Sequence, residues 1–148
     1  MRLSISGVHD FPDLVDVDAV VSLLDPGDGV PPAVGALGVT VLPLVFHDTD
    51  GDDLDVQPEE GHIVLVEGFL EGVRPAALHV HCFAGMSRSP AFASFVLGHL
   101  YPEWPDARVV KAVLAVRPQA VPNPHLLDLA DARLGRCLAR AWMVQNRY

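Results

Sequence analysis

A chain of 148 residues, half of them hydrophobic, fills one domain with a proper core and leaves no room for a second independent one. A net charge of −9 speaks against a nucleic-acid partner, and no apolar run reaches the roughly 18 residues a membrane span needs. Two cysteines, Cys82 and Cys137, make no disulfide framework, and Met1-Arg2-Leu3-Ser4-Ile5 lacks the apolar core of a secretory signal, so a reducing cytoplasm is the expected compartment.

Arg2 to Gly7 reads as a first strand, followed by a short acidic segment from Asp10 to Asp16. Asp18 to Leu24 is apolar enough for a buried strand and stops at the turn signal Asp25-Pro26-Gly27-Asp28-Gly29. Pro31 to Leu37 is a loop or one helical turn. Val39 to Phe46 reads as a third strand, and Pro43, which cannot donate to a ladder, puts it at an edge or an irregular end. His47 to Gln57 is a polar, Asp-rich loop. Pro58 to Glu71 reads as a helix, with Pro58 in its first turn and Glu59 and Glu60 favoured by its dipole. Ile63, Val64, Val66, Phe69 and Leu70 fit helical spacing, while the β-branched members leave a strand open.

Ala77 to Val80 reads as a short buried strand. Helical segments follow at Pro90 to Tyr101, Pro105 to Val116 and Pro124 to Ala141, and Trp142 to Tyr148 is a tail, frayed or pinned. Helices around buried strands indicate an α/β layered domain spanning residues 1–148. Charge is unevenly spread: from Leu3 to Val73 there are fifteen acidic residues and no Lys or Arg, and from Arg74 onward nine basic and four acidic. Either the two halves complement each other within one fold, or an acidic rim repels polyanions.

His81-Cys82-Phe83-Ala84-Gly85-Met86-Ser87-Arg88-Ser89-Pro90 carries the chemistry. Ser89 suits a helix N-cap and Pro90 a first turn. If the preceding loop curls around an anion, the amides of Phe83, Ala84, Gly85, Met86, Ser87 and Arg88 can point inward, and the helix adds the positive end of its dipole. Arg88 supplies a planar fork for two phosphoryl oxygens, and the same field favours a thiolate at Cys82.

Cys82 and Arg88 with five residues between them, Ser89 after, His81 before and Gly85 in the middle resemble the Cys-x5-Arg-Ser/Thr loop of the cysteine-dependent protein tyrosine phosphatase superfamily, in its dual-specificity-like branch. The resemblance implies a central, mostly parallel sheet of four to five strands flanked by helices. It also implies a reaction without metal or cofactor, and a hydrogen bond from Ser89 to the Cys82 sulfur. His81 is expected to hold the cysteine loop and favour the thiolate. Val121-Pro122-Asn123-Pro124 is similar to the Pro-Asn element of that family. Asn123 is then a turn and helix-cap residue, or one that positions water.

An attacking thiolate needs a protonated partner for the leaving oxygen. Phe46-His47-Asp48, 34 residues before Cys82, is similar to the acid loop of dual-specificity-like phosphatases, which makes Asp48 the first choice and Asp50 its rival. Asp52, Asp53 and Asp55 read as a solvated acidic turn. Trp104-Pro105-Asp106 mimics the acid loop of tyrosine-specific relatives, but it follows the cysteine. A helix from Pro90 to Tyr101 would carry it about 18 Å away, so Asp106 reads as a first-turn residue of the next helix. His79 and His81 alternate on one strand face without further ligands beside them. His47, His62, His99 and His125 carry no clear signal, and Cys137 reads as a packed thiol.

The expected activity is phosphomonoester hydrolysis of the protein tyrosine or dual-specificity type, through a cysteinyl-phosphate. The substrate would be a phosphorylated protein or small phosphoester. The alternatives are a catalytically weak, phosphoprotein-binding pseudophosphatase and a phosphoinositide phosphatase, with sulfur transfer or arsenate reduction behind them. The neutral loop interior tilts the choice away from inositol lipids.

Overall fold

The structure is a computed structural model describing residues 1–145. Four strands, β1 (Arg2–Ser6), β2 (Ala19–Leu24), β3 (Thr40–Val45) and β4 (Ala77–His81), form one sheet in the order β1-β4-β2-β3, with every pair parallel. β2 and β4 are buried along their whole length, as their apolar runs require of central strands. β3 is the edge strand, where Pro43 costs no interior ladder bond.

Alternation along the strands gives the sheet two different faces. Leu3, Ile5, Val21, Leu23, Leu78 and Val80 join the main apolar core beneath the helices. The opposite face carries Ser4, Ser6, Ser22, His79 and His81, in register across β1, β4 and β2. The helices are the short α1 (Pro32–Gly35), α2 (Glu60–Val73), α3 (Arg88–Leu100), α4 (Asp106–Val116), α5 (Pro124–Leu134) and α6 (Leu138–Val144). α3 is the central one, buried over eleven consecutive residues and packed on α4, α5 and the ends of β1 and β4.

Several helix boundaries differ from the sequence reading. Pro58 lies outside α2, because Glu59 is the N-cap and forms a reciprocal capping box with His62. α3 begins at Arg88 with Ser87 at its N-cap, so Ser89 is inside the helix and Pro90 is not its first residue. The expected single helix from Pro124 to Ala141 is two. Gly135 adopts φ 67°, a left-handed conformation that ends α5, and the Asp131 carboxylate then accepts from Leu138 N (2.7 Å) and Ala139 N (3.1 Å) to start α6. Cys137 sits exposed at this break, not packed in a helix. Trp142 is fully buried, with its indole N–H on Ser94 Oγ at 3.1 Å, which pins the tail to that point; residues 146–148 lie outside those described.

The charge asymmetry closes on itself. Asp10–Arg117, Asp25–Arg88, Glu60–Arg133 and Glu67–Arg133 each join an acid from the first half to an arginine of the second.

Candidate active site

The carboxyl ends of β2, β3 and β4 converge on one cleft of ≈ 420 Å³. β4 delivers Cys82, the segment after β3 delivers His47, Asp48 and Asp55, and the residue after β2 is Asp25; all of them line it, with Phe83, Ala84, Ser87 and Arg88. The end of a parallel sheet is where such a fold leaves a crevice between loops.

From Phe83 to Ser87 every carbonyl is turned away from the cleft and bonded behind it. Phe83 O accepts from Val8 N (2.9 Å), Met86 O from Val121 N (2.7 Å), and Ser87 O from Asn123 N (3.1 Å). Ala84 O and Gly85 O accept from the Arg117 guanidinium at 3.0 and 2.9 Å. In a planar trans peptide the N–H points opposite to the carbonyl, so the amides of residues 84–88 face inward. One of them, Gly85 N, donates to the Cys82 sulfur at 3.2 Å. The bend needs Gly85 (φ 73°), where any Cβ would collide with the backbone of Ser6 and Gly7.

Cys82 is buried, and its sulfur is also 3.2 Å from Ser89 Oγ. Arg88 is 3% exposed; its Nη1 donates to Asp25 Oδ1 (2.8 Å) and to Phe46 O (2.9 Å). Its Nε is the one buried side-chain polar atom without a partner among the described residues. Buried N–H groups are almost always bonded, so this one marks a place for an acceptor brought from outside. Asp48 Oδ1 accepts from Ser87 Oγ (2.7 Å) and Asn123 Nδ2 (2.8 Å), so a proton on this carboxyl belongs on Oδ2. The Asn123 amide has a fixed sense, because its oxygen caps α5 through Leu126 N at 3.0 Å.

No family model and no curated protein matches the sequence. Solved structures do. Human DUSP28 aligns at TM-score 0.68 and 21% identity, over 99% of this chain and 95% of that one. DUSP15 aligns at 0.65 and 21%, over 99% and 92%. PTPMT1 in complex with PI(5)P aligns at 0.57 and 17%, over 90% and 85%. The chain has the dual-specificity phosphatase fold.

Within this phosphatase fold the residues singled out in the sequence meet, with some changes of part. Cys82, Phe83, Ala84, Ser87, Arg88 and Asp48 line the cleft, and Gly85 and Met86 complete the loop. Asp50 does not line it, whereas Asp55, read from sequence as a solvated turn, does. Ser89 is no N-cap; its hydroxyl lies on the sulfur instead. His81 bonds Ser22 Oγ at 2.6 Å and its own loop at Cys82 O (3.3 Å), and burial lowers its pKa. It therefore anchors the loop as a neutral ring, without the positive charge that would favour a thiolate. His79 is held between Ser4 Oγ (2.7 Å) and Ser6 Oγ (2.8 Å), with its pKa lowered by burial to about 4. Both His79 nitrogens thus lie on hydroxyls, and the His81 nitrogens on one hydroxyl and one backbone carbonyl.

Four residues escaped the sequence reading. Arg117, 8% exposed, grips the loop carbonyls and is charge-paired to Asp10 at 2.6 Å; that bond holds the Asp10 carboxyl below its ordinary range. Asp25 reaches Arg88, and His47 closes the acid loop by accepting from Val56 N at 2.8 Å. These partners lie up to 107 positions apart in sequence, so no local pattern announces them.

Proposed function

We propose that this protein is a phosphomonoester hydrolase of the tyrosine or dual-specificity type, acting through a cysteinyl-phosphate. The observation that carries the reading is the buried, unpartnered Arg88 Nε in a cleft shared with Cys82 and a ring of inward amides. The inward amides and the Arg88 fork would hold three phosphoryl oxygens as charge spreads over them. The Cys82 thiolate, bonded by Gly85 N and Ser89, would attack phosphorus, forming an S–P bond as the ester P–O bond breaks. Asp48 would give its Oδ2 proton to the leaving oxygen. In the second step the same carboxylate would take a proton from the water that attacks phosphorus, and sulfur would depart toward the Ser89 hydroxyl.

The electrostatics favour phosphotyrosine or mixed phosphoprotein substrates over inositol lipids. Three carboxylates, from Asp25, Asp48 and Asp55, line the cleft against one described arginine, and the loop interior from Phe83 to Ser87 carries no cation. PTPMT1 binds PI(5)P on the same fold, so a lipid panel belongs beside a phosphopeptide panel. Phe83, 54% exposed at the mouth, offers an aromatic surface to the ester group. A free thiol at the centre of the reaction suits a reducing cytoplasm.

Hydrolysis of an aryl phosphate by the wild type and by Cys82→Ser tests the reading. The serine variant is expected to keep its fold and lose turnover to background. Persistent turnover in it contradicts the mechanism, and a wild type that binds phosphopeptides without hydrolysing them would make the protein a binding module.

A further inference from the structure

We infer that Asp25 is the positioning residue for Arg88, turning the guanidinium so that its Nε edge faces the phosphate. The inference rests on the phosphate-binding reading of the cleft and adds a part that the Cys-x5-Arg loop does not contain. Asp25 is the first residue after β2, a strand buried throughout, and Pro26 stiffens the chain just beyond it. The neighbouring strand β3 ends one residue before Phe46. The ends of two adjacent strands thus offer two acceptors, Asp25 Oδ1 and Phe46 O, to the same nitrogen, Arg88 Nη1.

A guanidinium is planar, so fixing Nη1 at two points fixes the whole fork. The edge formed by Nε and Nη2 is then the side left for two oxygens of an anion, and Nε is the buried atom without a partner. The carboxylate also compensates a cation whose side chain is only 4% exposed, which spares Arg88 the cost of waiting in the cleft with a carbonyl alone.

Asp25 also brings a negative charge close to a bound dianion. Were repulsion its main effect, removing it would tighten phosphate binding. Its side chain is 38% exposed, so its charge is partly screened by water, whereas the Arg88 contact is direct at 2.8 Å. Orientation therefore outweighs repulsion, and the two accounts predict opposite signs.

The test is inorganic phosphate binding by the full chain, measured calorimetrically and, in parallel, as competitive inhibition of aryl phosphate hydrolysis. Asp25→Ala is expected to weaken phosphate binding about 10- to 100-fold, the range for a hydrogen bond to a charged group. Asp25→Asn, which keeps an acceptor, should recover most of that loss. In an Arg88→Ala background Asp25→Ala should cost nothing further, the signature of an effect transmitted through Arg88.

Unchanged or tighter phosphate binding in Asp25→Ala overturns the inference while leaving Cys82-dependent turnover, and so the hydrolase reading, intact. If that variant does not fold, tighter binding in Asp25→Asn overturns it equally. A wild type that binds phosphate but hydrolyses nothing removes the hydrolase reading and leaves the Asp25 effect measurable. A wild type that binds no phosphate removes both.

Discussion

The Cys82 loop has five consecutive carbonyls bonded from behind, by Val8, Arg117, Val121 and Asn123, whereas the loop that carries Asp48 is held into the cleft by Ser87 and Asn123. The first loop is packed against β1, α4 and the start of α5. The second closes at its base, where His47 N donates to Val56 O, and its middle, with Asp50, Asp52, Asp53 and Leu54, is exposed. The Cys82 side is built into the fold, and the Asp48 side borrows its position from residues of the Cys82 side. Regions with few buried contacts open at lower free-energy cost, so the acid loop is the part expected to move during turnover.

The largest effect should come from the borrowed side. Asp48→Asn is expected to lower kcat about 10²- to 10⁴-fold, the usual worth of a general acid, with an unchanged thermal midpoint. Asp50→Asn should stay within about twofold. An equal loss in Asp50→Asn, in steady-state assays on one aryl phosphate, would shift the acid role and erase the contrast between the loops.

Next comes Arg117, on the built-in side. Arg117→Met leaves two loop carbonyls without their donor and takes the cation from Asp10, so it should cost on the order of 3 kcal/mol in stability and reduce kcat/KM as the loop amides lose alignment. Chemical unfolding alongside kinetics checks both. A variant as stable and as active as wild type would show that the loop holds its shape without this buttress.

Acid should weaken the sheet face beneath the Cys82 loop. Burial keeps His79 neutral down to about pH 4, while in the unfolded chain it takes a proton near 6.5. Between those values the unfolded state binds more protons, so stability falls as pH is lowered, by about 3 kcal/mol from this group. His81 and His62, whose pKa values are also lowered by burial, add loss of the same sign. Urea unfolding from pH 7 to pH 4 reads this directly, and a flat stability over that window would contradict the buried, serine-bound His79.

What the sequence disclosed follows the same divide. The Cys82 loop was legible as a unit because Cys82, Gly85, Arg88 and the start of α3 lie within ten consecutive residues, and β2 and β4 were legible as short apolar runs. The break between α5 and α6 left a signal in Gly135 that the apolar periodicity on either side overrode. Ser89 before Pro90 imitates a helix start, but Ser87 is fixed by Asn123 N and by Asp48, so the helix opens two residues sooner and the Ser89 hydroxyl is left for sulfur. Asp25, Arg117 and the Asn123–Asp48 bond were hidden because each joins segments from 32 to 107 positions apart, which only the sheet order and the packing of α3 bring together.

The central claim is that Cys82 takes the phosphoryl group. Asp48→Asn, incubated with an aryl phosphate whose leaving group needs no proton, should accumulate the intermediate, because hydrolysis of the S–P bond lacks its base. Acid quenching and peptide mass spectrometry should find the phosphoryl adduct on Cys82, absent from a Cys82→Ser companion. Turnover with no adduct on Cys82, or with the adduct on another residue, would contradict the account.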